Sequence, residues 1–193
     1  MSFKQLVIDA RTCRRFDESK QVSESQIVDL IDTVRVVSCT GNKQSLRYSF
    51  SISPAQNAVI FSSLKWAMML KDWAGPKQGE RPTAYIIIAN DENILKNPQI
   101  DLGIAAQTLQ LAASSLGLAS CMFSSMNAKA LHKELGFADN IEIMLTMAFG
   151  YPLEKRKITE LGKDGSTAYW RDEALVHYVP KRNLNDILLK SFK

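Results

Sequence analysis

Apolar side chains recur every three or four residues along much of the chain, which is the spacing of one face of an α-helix. The pattern predicts helices over residues 2–10, 24–37, 55–72 and 101–116, with two shorter helices at 127–135 and 184–189. Ser23 and Gln26 offer a capping box for the second of these helices. Many small residues lie in the helix at 101–116, so we expect it to pack closely at the centre of the fold.

Other stretches have the patterns of strands. Apolar and polar residues alternate over 46–52, which predicts a strand with one face in water, and the apolar run at 83–89 predicts a strand buried on both faces. Shorter runs predict strands at 118–123 and 143–149 and an edge strand at 175–179. Residues 153–173 are polar and turn-rich. Strands and helices mix without regular βαβ repeats, so the predicted class is α+β, with a central, mostly antiparallel sheet flanked by helices.

Length and composition predict one domain over residues 1–193, because 193 residues with 46% hydrophobic content can bury one substantial core. The net charge of +4 is modest and gives weak support for nucleic acid, which we do not expect as a partner. The most apolar stretch, residues 102–123, contains polar interruptions such as Gln107 and Gln110. We therefore expect no membrane partner.

The cysteines and the N-terminal sequence indicate where in the cell the protein is located. Cys13, Cys39 and Cys121 are odd in number and lack metal-ligand spacing, so they fit reduced thiols. The chain does not start with a charged segment followed by an apolar run and a cleavage site, so nothing indicates secretion. Together these features predict a cytoplasmic protein.

The most informative local feature is the basic segment Arg11-Thr12-Cys13-Arg14-Arg15-Phe16. A second pair of basic residues, Lys181-Arg182, lies near the C-terminus. A guanidinium offers a planar fork of donors that fits phosphate oxygens, and a threonine hydroxyl adds another donor. The segment therefore predicts binding of a phosphate group.

The sequence offers few of the residues that a catalytic triad or a metal site requires. His132 and His177 are the two histidines, so neither a Ser-His-Asp arrangement nor a His-rich metal site is expected, and no metal is predicted. No glycine-rich dinucleotide or phosphate loop occurs. Cys121 is expected to be a small core residue, the tryptophans to cover a subunit interface, and Asp101 to be the N-cap of the helix that follows it.

Five blocks of the sequence resemble the nitroreductase family. The Arg11–Phe16 segment is similar to the family signature in which basic residues flank a Ser or Thr before an aromatic residue. The blocks at 38–48 and 117–123 resemble the small-residue turn with Asn and Gln and the Gly-Leu-small-small-Cys run of that family. Gly150-Tyr151-Pro152 and Lys181-Arg182 follow in the expected order. Agreement at five separated places is what gives the resemblance its weight.

The resemblance implies a homodimer that holds FMN non-covalently at the subunit interface. It implies that Arg11, Thr12 and Arg14, with Cys13 in the same segment, bind the phosphate and that Lys181 and Arg182 close over it. It also implies that a loop containing Ser38, Cys39, Asn42 and Gln44, contributed by the other subunit, contacts the ribityl chain and the pyrimidine edge. Ser124 and Ser125 would lie close to the flavin ring. Lys77 and Arg81, in a polar loop with the character of a lid, are candidates for the contact with flavin N1 and O2.

The implied reaction is ping-pong hydride transfer. NADH or NADPH would reduce the flavin at N5, leave, and be replaced by a small-molecule acceptor such as a nitroaromatic compound or a quinone. No catalytic side chain is expected, because flavin N5 carries the chemistry. The chain departs from the family pattern at Ala10, at Ser45-Leu46, at Ser38-Cys39 and at Ser124-Ser125, so the substrate preference does not transfer.

Two alternatives stay open at the level of sequence. In the first, the fold and FMN are the same but the redox task differs, as in dehydrogenase or dehalogenase relatives. In the second, the arginines form a basic patch that binds nucleic acid or a phosphorylated ligand. Steady-state turnover with nitro and quinone acceptors tests the first alternative, and a visible flavin spectrum and the salt dependence of binding test the second.

Overall fold

A computed structural model of the chain describes residues 1–67, 70 and 73–193. Helices and strands are mixed along the chain, as the sequence predicts. The elements are α1 (Phe3–Asp9), α2 (Glu24–Arg35), β1 (Leu46–Ser51), α3 (Pro54–Ser63), β2 (Ala84–Asp91), α4 (Gln99–Ser115), β3 (Ala119–Phe123), α5 (Ala128–Leu135), β4 (Ile141–Gly150), β5 (Arg156–Glu160), β6 (Trp170–Arg171), β7 (His177–Lys181) and α6 (Leu184–Ile187).

The main sheet has four antiparallel strands in the order β1-β2-β4-β3. Helices pack on both faces, and this explains why β2 lacks alternation. Ile86 and Ile88 of β2 join a core with α2 and α4, whereas Tyr85 and Ile87 join a second core with α3 and α5. The predicted α+β class with a central antiparallel sheet is confirmed.

Helix α4 packs at the centre as predicted, with Ala105, Ala106, Leu109 and Ala113 buried. The predicted capping role of Asp101 is wrong, because the N-cap is Pro98. Asp101 lies inside the first turn, where its Oδ1 accepts hydrogen bonds from the backbone N–H of Thr40 at 2.8 Å and from the Thr40 hydroxyl at 2.7 Å. The carboxylate therefore fixes the loop before β1 against this helix.

Helix α3 is shorter than the prediction of 55–72. It ends at Ser63, and Leu64 continues in extended conformation beside Met126 in an antiparallel bridge. The side chain of Trp66 packs on Phe123, with ring centroids 4.6 Å apart. This contact, and not a continued helix, explains the apolar residue at position 66. Residues 68, 69, 71 and 72 of the predicted helix lie outside the described residues.

The C-terminal segment forms a second, three-stranded sheet that the sequence patterns did not predict. Its order is β5-β7-β6, with β5 parallel to β7 and β6 antiparallel to it. The strand expected at an edge over 175–179 is His177–Lys181 and lies in the middle of this sheet, so the edge assignment is wrong. Within the described residues no helix combines the length and the apolar composition that a membrane span requires.

Candidate functional site

The basic segment after α1 runs between the main sheet and the start of the C-terminal segment. The backbone N–H of Cys13 donates to the Ser120 carbonyl at 2.9 Å, and Phe16 forms an isolated antiparallel bridge with Pro152. Phe16 is fully buried and packs directly on Gly150, where an added Cβ would stand 2.9 Å from Phe16 Cδ1. These contacts fix the backbone of the segment, and each of its side chains then has a different environment.

Cys13 points into the core and not toward a ligand. Its side chain is fully buried, and burial raises the pKa of the thiol to about 11. Its backbone N–H is already bonded to Ser120. The thiol and the N–H of Cys13 are therefore held within the protein, and its place among the predicted cofactor-binding residues stays a prediction.

Arg15 is committed to a protein partner. Its Nε donates to Glu80 Oε2 at 2.9 Å and its Nη2 donates to Glu80 Oε1 at 2.6 Å. The hydrogen bonds from Arg15 lower the pKa of the Glu80 carboxyl, so this pair is ionised at neutral pH. One of the three guanidiniums of the basic segment thus holds the loop 75–82 in place.

The two candidate cations of that loop also have local partners. Lys77 Nζ lies 3.9 Å from Glu80 Oε1, and the guanidinium carbon of Arg81 lies 4.5 Å from the centroid of the Phe61 ring. The Phe16 N–H donates to the Glu80 carbonyl at 2.9 Å. The loop is therefore tied to the basic segment at Phe16 and Arg15.

Arg14 faces a surface cleft of about 190 Å³ that Ser124 and Ser125 also line. Its guanidinium carbon lies 4.5 Å from the centre of the Tyr169 ring. Its Nη1 lies 3.3 Å from His177 Nε2 and must be the donor, since a guanidinium cannot accept a hydrogen bond. The structure thus brings together Arg14, Ser124 and Ser125, which the sequence had placed in one site.

Beneath this cleft lies a buried carboxylate, Glu154. It accepts a hydrogen bond from the Arg14 backbone N–H and another from Arg171 Nε at 3.1 Å. His177 is almost fully buried beside it, and burial lowers the pKa of the imidazole to about 4. The imidazole is therefore neutral at neutral pH, so the positive charge of the cleft comes from Arg14 and Lys65, which both line it.

Arg11 and Arg156 hold donors that are not used. Arg11 Nη2 donates to the Val7 carbonyl at 2.6 Å, but Arg11 Nε is buried without a hydrogen-bond partner among the described residues. Arg156 Nη1 is also buried without a hydrogen-bond partner among the described residues. Burial and the nearby Arg156 charge lower the pKa of Arg11. Thr12 lies between Arg11 and Cys13 and is half-buried. This donor set suits an anion.

A second cleft of about 260 Å³ collects the other group of predicted residues. Ser38, Cys39 and Gln44 line it together with Tyr48 and Asp101. Asn42 and Gln44 are exposed and have positive φ angles of 55° and 52°, so the turn presents both amides to solvent. The predicted residues thus fall into two separate groups within one chain.

Lys181 and Arg182 are exposed at the end of β7. Lys181 pairs in register with Glu160 of β5, four residues along the strand from His177, which is the residue of β7 that contacts Arg14. Among the described residues, neither side chain has a hydrogen-bond acceptor or a carboxylate partner that it shares with Arg11 or Arg14. The convergence of the two basic ends stays a prediction for the assembled protein.

A model of the nitroreductase family matches residues 7–151. The chain belongs to the nitroreductase family. None of the curated proteins compared with it matches.

Solved structures agree with this nitroreductase-family fold. A protein from Desulfovibrio desulfuricans, solved in complex with FMN, superposes with a TM-score of 0.71 at 16% identity over 98% of this chain and 96% of its own. A nitroreductase family protein from Clostridium difficile 630 gives 0.65 at 20% identity over 79% and 86%. Nitroreductase A from Vibrio parahaemolyticus gives 0.63 at 18% identity over 78% and 67%.

Sequence reasoning missed several residues that lie around the basic segment. Glu154, Arg156, Tyr169 and Arg171 all lie in the segment that appears polar and turn-rich in the sequence, and His177 was assigned a structural role only. The one available signal is position, since the segment begins directly after Gly150-Tyr151-Pro152. No cluster of three or more His, Cys, Asp or Glu residues suited to a metal occurs in the described parts of the chain.

Proposed function

We propose that this nitroreductase-family protein is an FMN-dependent oxidoreductase that uses NADH or NADPH to reduce a nitroaromatic or quinone-type acceptor. The observation that supports it best is the Arg14 cleft with unused guanidinium donors close by, since these fit a phosphate-bearing cofactor. Hydride transfer through flavin N5 is the chemistry that the cofactor supplies when it is bound.

The residues of the chain would bind and orient the cofactor. Arg11, Thr12 and Arg14 would offer donors to the phosphate, and Ser124 and Ser125, which directly follow β3, line the cleft with Arg14. Asn42 and Gln44 offer amide donors and acceptors of the kind that ribityl hydroxyls and a pyrimidine edge require. Binding and orientation of this kind reduce the barrier by fixing the reacting groups before the reaction.

We further propose that the protein is a homodimer with each site shared between subunits. Two separate clefts in one chain each hold part of the predicted residue set, as expected if the loop 38–44 of one subunit completes the Arg14 cleft of the other. Large apolar side chains at both chain ends are exposed, including Phe3 at 72%, Leu189 at 98% and Phe192 at 85%. Exposed apolar surface of this kind is typical of association.

We also propose that residues 1–193 form one domain, because residues 152–154 are bonded to the basic segment near the N-terminus. A single cooperative unfolding transition would agree with this. The cytoplasmic location stays a prediction.

The test of the proposed function is spectroscopic and kinetic. Protein purified from a flavin-rich host is expected to be yellow, to retain FMN on gel filtration, and to oxidise NADH or NADPH with a nitroaromatic or quinone acceptor. Retained FMN without turnover on any such acceptor would favour a different redox task on the same fold. Colourless protein that takes up no added FMN would contradict the cofactor itself.

A further inference from the structure

A third pocket, of about 100 Å³, lies between α3 and the start of β2 and shares no lining residue with the Arg14 cleft. Gln21 and Ala58 at its rim are exposed, whereas Asn57 and Tyr85 in its interior are buried. Its volume exceeds the share of one molecule in liquid water, which is about 30 Å³. The pocket therefore has room for a chemical group of a few non-hydrogen atoms.

Asn57 presents an unused acceptor in this pocket. The residue is 9% exposed, and its Nδ2 donates to the Thr83 carbonyl at 2.9 Å. Because a carbonyl can only accept, this bond fixes the orientation of the amide and identifies the other arm as Oδ1. Oδ1 is buried and has no hydrogen-bond partner among the described residues. A buried acceptor of this kind costs free energy until a ligand or a water donates to it.

Arg81 presents an unused donor in the same pocket. Its Nε is buried and lacks a hydrogen-bond partner within the part of the chain that the structure describes. Its guanidinium carbon lies 4.5 Å from the centroid of the Phe61 ring, which also lines the pocket. This cation–π contact holds the guanidinium in place, so the donor is fixed before any ligand arrives.

The charges that line the pocket balance one another, because Glu18 and Arg81 carry one each. Glu18 Oε2 accepts hydrogen bonds from the backbone N–H groups of Gly79 and Arg81, which keep the carboxylate at the pocket. Burial raises the pKa of the Tyr85 phenol far above its usual range, so this hydroxyl is uncharged. A neutral lining of this kind favours an uncharged polar ligand.

The two unused groups require a ligand that both donates and accepts. A carboxylate would satisfy the Arg81 donor, but it would put a second acceptor against Asn57 Oδ1 and a like charge near Glu18. An amidinium would satisfy Asn57, but it has no acceptor for Arg81 and has the same charge as the guanidinium. A primary carboxamide has an NH2 donor and a carbonyl acceptor on one carbon and carries no charge.

We propose that the pocket between α3 and β2 binds a small molecule through a primary carboxamide group. The carboxamide NH2 donates to Asn57 Oδ1, and its carbonyl oxygen accepts from Arg81. Arg81 then binds this ligand in place of flavin N1 and O2, for which the sequence made it a candidate. The site does not rest on the proposed function, since its lining residues are separate from those of the Arg14 cleft.

The experiment titrates isotope-labelled protein with three probes of the same shape, which are acetamide, acetate and acetamidinium. Acetamide is expected to shift the NMR signals of the Asn57 side-chain amide and of Arg81 Nε–H saturably, with a dissociation constant on the order of millimolar because the probe is small. Each ion, at equal ionic strength, is expected to bind at least about tenfold more weakly, because it leaves one buried group unpaired. Absence of a saturable acetamide shift, or equal binding of either ion, would overturn the proposal.

An arginine variant and a matched control locate the binding. Arg81→Met removes the donor and keeps an unbranched side chain, whereas Lys20→Met removes an exposed cation close to Thr83 that does not line the pocket. Acetamide affinity is expected to fall by about tenfold or more in Arg81→Met and to be unchanged in Lys20→Met. Circular dichroism establishes folding, and Arg81→Lys, which has no Nε–H, serves if Arg81→Met does not fold. Undiminished acetamide binding in the arginine variant would mean that the probe binds elsewhere and that the assignment is wrong.

A repeat of the titration with saturating FMN separates this site from the proposed cofactor cleft. FMN is expected to leave the acetamide affinity unchanged, because the two sites share no lining residue. Competition between acetamide and FMN would assign the probe to the flavin cleft and refute the carboxamide site. A protein that binds acetamide at Asn57 and Arg81 but takes up no FMN would refute the proposed function and leave the carboxamide site standing.

Discussion

Adjacent arginines of the basic segment have different partners, and the partner determines what each can do. Arg15 is fixed by two hydrogen bonds to Glu80, whereas Arg14 faces the cleft and contacts Tyr169 and His177. The three arginine side chains of the segment are chemically identical. Sequence reasoning therefore predicted a phosphate-binding segment but had no means of telling which arginine is free.

Replacing each of these two arginines by alanine should separate binding from stability. Arg14→Ala is expected to weaken FMN affinity by about tenfold or more and to change the free energy of unfolding by less than about 1 kcal/mol, because its backbone bond to Glu154 remains. Arg15→Ala is expected to cost about 3 kcal/mol, because Glu80 is left with a poorly solvated charge. FMN titration and denaturant unfolding measure the two effects; equal losses of affinity in both variants would contradict these assignments.

His177 predicts a pH dependence of stability. Its pKa is lowered from 6.5 to about 4 in the folded protein, so between these values the unfolded chain binds more protons than the folded one. The free energy of unfolding should therefore be fully retained above about pH 6.5 and fall as the pH drops toward 4, by at most about 1.4 kcal/mol per pH unit from this residue.

The check is the slope of unfolding free energy against pH. His177→Gln should flatten the slope between pH 6.5 and 4.5. A wild-type slope that survives in His177→Gln would mean that other groups cause the pH dependence.

At the level of elements, the strongly patterned helices and strands were predictable and the weakly patterned ones were not. The capping box of α2, the small-residue face of α4 and the apolar run of β2 each carry their own signal, and each element is found where it was expected. The strands β5 and β6 are short and polar, and β5 is stabilised by pairing with β7 some twenty residues later. Local periodicity does not encode such pairing.

Gly150 illustrates a contact between elements that a single methyl group would disturb. A Cβ at this end of β4 would lie 2.9 Å from Phe16 Cδ1 and 3.1 Å from Phe16 Cβ, so Gly150→Ala is expected to cost about 1–3 kcal/mol. Gly103 on α4 has open space around its Cβ position. Gly103→Ala should stabilise the protein by up to about 1 kcal/mol, because alanine is the better helix former.

Denaturant unfolding of the two glycine variants provides the comparison. Opposite signs are expected, with FMN affinity reduced only in Gly150→Ala, since displacement of Phe16 also displaces the basic segment. Two variants of equal stability would show that Phe16 can move away from a Cβ at position 150 without a change in the free energy of unfolding.

For the whole molecule, the division of the predicted residues between two clefts leads to a test of shared sites. Arg14→Ala and Asn42→Ala disable different groups of residues. If each site takes Arg14 from one subunit and Asn42 from the other, a mixed dimer has one intact site and one doubly defective site. Equal mixing then restores about a quarter of wild-type sites.

The measurement is turnover at an FMN concentration that loads the wild type but neither variant, after the two variants are unfolded together and refolded. Each variant refolded alone is the control and should stay inactive. No recovery in a mixture that forms dimers would mean that both residue groups serve the same subunit's site or that the loop 38–44 has no part in it.

The match to the family ends at Tyr151, one residue before the strand-like segment that accompanies the arginines begins. Tyr169, which lines the Arg14 cleft, and His177, which contacts Arg14, therefore come from a segment that lies beyond the residues matched by the family model. A protein built in this way can diversify its ligand preference by exchanging that appendage, while the four-stranded framework inherited with its relatives is left untouched.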